Sequence, residues 1–342
     1  MWKIRYGDRA LRAGRSTRVM LTAAIMVATA SSWAQTAPGT KPADSYPSRP
    51  VRVIVPSPIG GATDILARVL APKVSENVGR PVIVDNRAGG NTTMGLALVA
   101  NAPPDGYTLL MAPNSFAVLP SLYQKLPFDV FKDFEAITLV ASLPNVLVVN
   151  QSLPAKTVKE LLALAKAKPG QLNVGTGGAG GTTRLSAELF KLMAGIDIAV
   201  IPYKGGSLMF TDLMGGQIQM GFPDALAVLG HLKAGRVRPL GVTSRQRLAS
   251  LPDVPTVNEA GVPGYESVGW YGLFAPAGLS KDMRNRVHAE FVKALRAPDM
   301  VEKLSSQEAI LGGNSPAEFA AYVRTEHAKW SKVVKAAGIK PD

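Results

Sequence analysis

The sequence predicts an α/β protein of two lobes, each a mainly parallel sheet flanked by helices, with a ligand cleft between them. Three observations carry this. A β-branched strand, a Pro/Gly loop and an amphipathic helix follow one another directly over residues 51–70, which is the βα unit of an open sheet. The same strand–loop–helix order recurs after Pro81 and again after Leu172. The chain has 342 residues, beyond the roughly 250–300 at which a single core stops growing.

In the first unit Val51, Val53, Ile54 and Val55 suit a strand covered on both faces, and Ile65, Leu66, Val69 and Leu70 recur at helical spacing. Gly60 and Gly61 stand between them, where amides at a helix start can face an anion, or where two glycines simply permit the turn. Residues 81–86 give a second strand, Arg87 to Asn91 a loop and Met94 to Ala100 a helical stretch; Tyr107 to Met111 give a third strand ending at Asn114-Ser115. Ligands of such sheets bind outside the carboxyl ends of the strands. Ile137 to Asn150 reads as the strand through which the chain crosses to a second lobe. There Thr157 to Lys168 is a helix, Leu172 to Val174 a strand opening into Gly175 to Thr183, and a further helix carries Leu185, Leu189, Phe190 and Met193. Ala199 to Ile201 and Gln217 to Phe222 are strands with a helix to Met214 between them. Trp270 to Ala275 returns the chain, and helical segments over 281–304 and 316–335 end it. The expected division is 46–140 and 268–342 for one lobe and 141–267 for the other.

The amino terminus reads as an export signal. Six Lys/Arg lie in the first 18 residues against Asp8 alone; an apolar run from Val19 to Ala30 follows, and Ser32-Trp-Ala34 places small residues before Gln35. Cleavage near Ala34 is expected, with 35–45 a flexible spacer rich in Thr, Ala, Pro and Lys. Losing six basic residues and one acid lowers the formal net charge from +13 to +8. The mature chain remains basic, which suits an anionic small molecule, while no Lys/Arg cluster interleaved with aromatics points to nucleic acid. With no cysteine there are neither disulfides nor thiolate metal sites.

Groups for catalysis are scarce. His231, His288 and His327 have no metal-ligand spacing, no G-x-S-x-G elbow is present, and Glu76, Asp85, Asp105, Glu160, Glu188, Asp212 and Asp224 are scattered. Gly175-Thr-Gly177-Gly-Ala-Gly180 does satisfy G-x-G-x-x-G after a strand and before a helix, with Asp197 placed 22 residues on as a ribose-binding acid would be. A dinucleotide site there competes with a small-anion loop built from the same amides.

Several motifs together resemble one family. Tyr46-Pro-x-Arg-Pro-Val-Arg-x-Ile-Val-Pro56, Gly60-Gly-x-x-Asp64, Val84-Asp-Asn-Arg-x-Gly89, Pro104-Asp-Gly-Tyr-Thr108, Pro202-Tyr-Lys-Gly205, Asp212-Leu-x-Gly-Gly216 and Leu251-Pro-Asp-Val-Pro-Thr256 look like the periplasmic solute receptors of tripartite tricarboxylate transporters, the Bug receptors. The resemblance spans 46–342 in order. It implies a two-lobed periplasmic binding protein fold of type II, no enzymatic activity, no cofactor and no metal. The implied partners are a small carboxylate-bearing anion and membrane transporter subunits, with the receptor a periplasmic monomer. The candidate ligand contacts are Ser57, Ile59, Gly60, Gly61 and Asp64 in the first loop, Asn114 and Ser115 at the third strand end, Thr176, Gly177, Gly180, Gly181 and Thr182 in the second-lobe loop, and Phe222, Pro223 and Asp224 at a strand end. The chain departs from the family at Ser57, where an aromatic is usual, at Gly181, where Ser or Thr is usual, at Arg184, where His is frequent, and at Pro223, where Asp is common. A nucleotide-dependent oxidoreductase using residues 175–180 and a periplasmic sensor subunit are the alternatives.

Overall fold

The computed structural model describes residues 46–203 and 206–341; the export signal and spacer expected over 1–45 lie outside the described residues. The chain runs β1 (Val51–Val55), α1 (Ala62–Val78), β2 (Val82–Asn86), α2 (Thr93–Ala100), β3 (Thr108–Pro113), α3 (Ser115–Leu122) and β4 (Phe134–Pro144). It continues through β5 (Val146–Asn150), α4 (Val158–Ala167), β6 (Asn173–Thr176), α5 (Thr182–Ala194), β7 (Ala199–Pro202), α6 (Gly206–Met214), β8 (Met220–Gly221), α7 (Ala225–Lys233) and β9 (Val237–Val242). It closes with β10 (Val268–Pro276), α8 (Lys281–Leu295), α9 (Pro298–Ser305), β11 (Ile310–Leu311) and α10 (Pro316–Ala337).

The strands form two sheets, ordered β11-β4-β10-β3-β1-β2 and β7-β6-β8-β5-β9. Each holds the three-stranded parallel core that βα units build, β2-β1-β3 in one and β7-β6-β8 in the other. Both are more mixed than mainly parallel, because β10 runs antiparallel to β3 and β4, and β5 antiparallel to β8 and β9. The cause is the crossing: β4 leaves the first sheet at the edge where β10 returns, so the pair must run in opposite directions.

The alternation along β1 shows why these residues form a central strand. Val51, Val53 and Val55 enter the core shared with α1 and α8, whereas Ile54 enters the core on the other face with Phe116, Trp270 and Phe319. The second sheet is likewise covered on both sides, by α4 and α5 on one face and by α6 and α7 on the other. Polar residues set the helix starts. Thr157 accepts from the Glu160 amide at 3.1 Å, and Ser315 with Glu318 forms a capping box ahead of Pro316. The expected strand over 217–222 shrinks to two residues, since Gly216 and Gln217 close a turn through bonds to Leu213 and Asp212.

A further apolar cluster joins the halves. Val118 and Leu122 of α3 meet Ala179, Leu185 of α5, and Trp330, Val333 and Val334 of α10. The strand β10 is anchored to α10 by Glu326, whose Oε2 accepts from Trp270 Nε1 at 3.1 Å and from Trp330 Nε1 at 2.8 Å. Beside it, Gly272 leaves room for Phe319: a Cβ there would come within 2.7 Å of the ring's Cε1. Gly→Ala in a strand ordinarily gains about 0.5–1 kcal/mol; Gly272→Ala is expected instead to lose about 1–3 kcal/mol by overpacking, read from urea unfolding. A stabilised variant would show that the ring moves aside freely.

Candidate functional site

Because β4 runs the same way as β3, it leaves the first sheet at the edge where the loops into α1, α2 and α3 lie. It hands the chain to β5 beside the end of β8, where the Val146 amide donates to the Pro223 carbonyl at 2.9 Å. Asn145 marks the crossing, fully buried and bridged to Asp224. The helix-start loops of both sheets are thus brought to one place, and direct contacts confirm it: Thr182 Oγ1 donates to Asn114 Oδ1 at 3.0 Å.

The first loop is built around Asp64, which is 1% exposed. Its carboxylate accepts from the Gly60 amide, Arg68 Nε and Asn86 Nδ2, each at 2.9 Å. Burial alone would raise its pKa, but these three donors together hold it below the usual carboxylate range. Asp64 is therefore a brace within the loop, and the Gly60 amide, expected to face an anion, is occupied by it. What Gly60 supplies is backbone shape, at φ +86. Gly61 caps α1, Ile59 stands 75% exposed, and Ser57 Oγ at the loop's base is buried with no partner.

The loop before α2, read from the sequence as a connection over Arg87 to Asn91 with no ligand contact assigned, has an unusual backbone. Gly89, Gly90, Asn91 and Thr92 take φ of 138, 55, 50 and 76 in succession. A β-branched residue there is strained, and such strain gathers at ligand clamps. Asn91 Nδ2 and Thr92 Oγ1 are buried without partners. A Gly-Gly-Asn-Thr run before an apolar helix was the available signal.

At the third loop Asn114 and Ser115 are 3% and 6% exposed, with Asn114 Nδ2 and Ser115 Oγ unpartnered. The loop of the second sheet reaches them. Gly180 is buried against Ser115, and an added Cβ would lie 3.3 Å from the serine's Cβ, so this glycine serves close approach. Gly177 donates to Thr183 Oγ1 at 2.7 Å and Gly181 to the Gly178 carbonyl at 2.9 Å, while Thr176 is fully buried with Oγ1 unpartnered.

At the end of β8 the expectations divide. The Phe222 ring is core, packed on Phe190 at 5.6 Å between centroids; its carbonyl accepts from Asn145 Nδ2 at 2.6 Å. Pro223 and Asp224, with Thr176, Gly177, Tyr203 and Phe210, line a cavity of ≈ 270 Å³. Arg184 is matched along its own helix by Glu188 at 2.8 Å, and its Nε is a buried donor without a partner. A larger cavity of ≈ 420 Å³ lies among β4, β10, β11 and the loop after β9, touching none of the helix-start loops.

Buried polar atoms without partners are rare and call for a reason. Of ten such side-chain atoms among the described residues, seven belong to Ser57, Asn91, Thr92, Asn114, Ser115, Asn145 and Thr176. All seven residues lie in these loops, at the end of β6 or at the crossing. They fit a small polar ligand shared by both halves. No group of metal-ligating side chains occurs among the described residues, and no helix among them is long and apolar enough to cross a membrane.

Residues 66–339 match the model of the tripartite tricarboxylate transporter family receptor. The chain belongs to this receptor family. The receptor is 35% identical to Protein BugT of Bordetella pertussis over 95% of this chain and 98% of that one. A solved R. palustris protein with adipate shares 36% identity at a TM-score of 0.79, covering 87% of the receptor and all of that chain. The periplasmic binding protein BugD shares 30% at a TM-score of 0.76, again over 87% of the receptor and all of that chain. The family is one of solute-binding receptors and not of enzymes. The dinucleotide reading fails on topology as well: Asp197 precedes β7, at the sheet edge opposite the Gly175–Gly180 loop.

Among the described residues lining the cavity, Asp224 is the charged one. Burial pushes its carboxyl up from 3.8 to about 6, with the Asn145 amide at 3.4 Å pulling the other way. The native state therefore holds this proton more tightly than the unfolded chain, and stability falls as pH rises through 3.8 to about 6. Asp224→Asn is expected to stabilise the receptor by as much as roughly 3 kcal/mol at pH 7.5, with the gain fading by pH 4, in urea unfolding at both pH values. An equal or smaller stability at pH 7.5 would show that the carboxylate is solvated.

Proposed function

We propose that this receptor captures a small carboxylate-bearing organic anion between two lobes, one built on each sheet, with the boundary expected at 140/141 moved to the crossing at Asn145 because β4 pairs with β10 as far as Pro144. It works outside the cytoplasm after losing residues 1–34, and passes the solute to membrane subunits of a tripartite transporter. The observation that carries this is the set of seven unpartnered polar atoms at the helix starts and the crossing. Helix amino-terminal ends favour negative charge, and six of these atoms, the hydroxyls of Ser57, Thr92, Ser115 and Thr176 and the Nδ2 amides of Asn91 and Asn114, can donate to an anion, while the seventh, Asn145 Oδ1, accepts. The relative solved with adipate supports an organic acid as the class of ligand. No cofactor is needed, because capture requires only differential affinity for the closed arrangement.

Thermal shift with adipate, malate, citrate and NAD tests this directly. A bound acid at 100 times its Kd should add about 2.7 kcal/mol of stability. A shift with NAD and none with the acids would overturn the reading. Thr176→Val should sharpen it, since it replaces an unpartnered hydroxyl by a methyl of the same shape. The free receptor should become no less stable, while affinity for the acid falls about 5- to 10-fold, the loss of one hydrogen bond of about 1–1.5 kcal/mol. Calorimetry showing unchanged affinity would place Thr176 outside the site.

A further inference from the structure

Asn114 starts α3 on the first sheet, a place where an asparagine ordinarily turns its side-chain oxygen onto the helix amides. It makes no such bond here. Its Oδ1 instead accepts from Thr182 Oγ1 of α5 at 3.0 Å, which ties the helix start of the second sheet to that of the first. Its Nδ2 has no hydrogen-bond partner among the described residues, although Asn114 is only 3% exposed. Ser115 beside it repeats the pattern, with Oγ buried and unpartnered. Thr182 is also closely walled by β10: Gly269 lacks a Cβ, and one added there would come within 3.1 Å of the threonine Oγ1. A primary amide has one acceptor end and one donor end. With the acceptor end taken by Thr182, the donor end is what Asn114 offers at the α3 start, where the peptide dipoles favour an anion.

Resting on the reading of the receptor as a carboxylate binder, we propose that Thr182 is a positioning residue for that site. It touches Asn114 and not the solute, and holds the amide so that Nδ2 donates to the solute's carboxylate. Turned over, Asn114 would meet Thr182 with its amine and leave the hydroxyl proton without this acceptor. A carboxylate only accepts, so it is served by an amide held this way round. A neutral amide solute carries donors as well, and an Asn114 free to turn over would serve it too. The hydroxyl on the second half of the receptor thereby sets the preference of the first half for an acid over its amide.

The test is calorimetry with adipate and malate, each with its diamide measured by displacement of the acid. The proteins are the unaltered receptor, Thr182→Val, Thr182→Ser, Asn114→Ala and the double variant Asn114→Ala with Thr182→Val. The unaltered receptor is expected to bind at least one of the acids and to prefer it to its diamide. Thr182→Val should lower affinity for that acid about 10-fold, an effect of the size of one hydrogen bond, and narrow its advantage over the diamide by at least about 3-fold; Thr182→Ser should restore both. In the Asn114→Ala background Thr182→Val should cost under about 2-fold more, because its effect runs through the missing amide. An unchanged acid affinity in Thr182→Val, or an advantage over the diamide that does not narrow, overturns the positioning role. So does a full 10-fold further loss without Asn114, which would make Thr182 a direct contact; in each of these cases the carboxylate reading stands. If neither acid binds the unaltered receptor, the carboxylate reading falls with the proposal.

Discussion

The buried side chain of Asn145 is the constraint on which the arrangement of the site depends. Its residue is the one between β4 and β5 where the chain passes from the first sheet to the second. Its amide and carbonyl are tied to Thr243 at 2.8 and 2.9 Å, and its Nδ2 reaches the Phe222 carbonyl at 2.6 Å. One residue thereby fixes the crossing, the end of β8 and the start of α7 against each other. The crossing strand, the cavity wall and Asp224 cannot be displaced independently while those bonds hold. An apolar residue of similar size would leave the Phe222 carbonyl unmet in a buried place, a cost of about 1–3 kcal/mol.

The polar atoms left without partners acquire meaning from that rigidity. In a loose loop an unpartnered hydroxyl would turn to water; at Thr176, fully buried on a strand end, it cannot. Asp224 lines the cavity beside Thr176, and burial pushes its carboxyl up from the usual carboxylate range. Function commonly sits where stability is locally given up. The contrast with Asp64 is instructive: both carboxylates are at helix starts, yet Asp64 is met by three donors and is inert, while Asp224 has one weak donor and faces a cavity.

Much of the fold was legible in the sequence because periodicity reports it. The β1–α1 unit and the helix expected over 157–168 and found over 158–167 follow from local patterns that burial enforces, whereas the strand expected to end at Val174 runs on to Thr176. Local patterns say less about partners. Phe222 reads as a strand-end residue near the ligand, but which face its ring takes depends on Phe190, 32 positions away. Gly60 reads as an amide donor, and only the fold shows Asp64 taking that amide. Strain at Thr92 is a property of backbone geometry that a β-branched residue does not announce, and the Gly-Gly-Asn run before it is the one local hint of positive φ.

The G-x-G-x-x-G motif over 175–180 shows how a correct local reading can carry the wrong chemistry. The strand, the turn and the following helix are all there, and the glycines do serve close approach, but to a protein surface: Gly180 lies on Ser115 and Gly175 leaves no room for a Cβ beside Met209 and Tyr203. A ribose-binding acid must end the next parallel strand on the ligand edge. Asp197 instead lies before β7, where its backbone carbonyl accepts from Gly170 at 3.0 Å. The interval of 22 residues is here filled by the glycine loop and α5 and stops before β7, whereas the interval to a ribose-binding acid also takes in the next strand, so equal spacing says nothing about which edge of the sheet the acid occupies. Spacing fixes a residue's position along the chain, whereas the direction of the strand decides whether that position can reach a ligand.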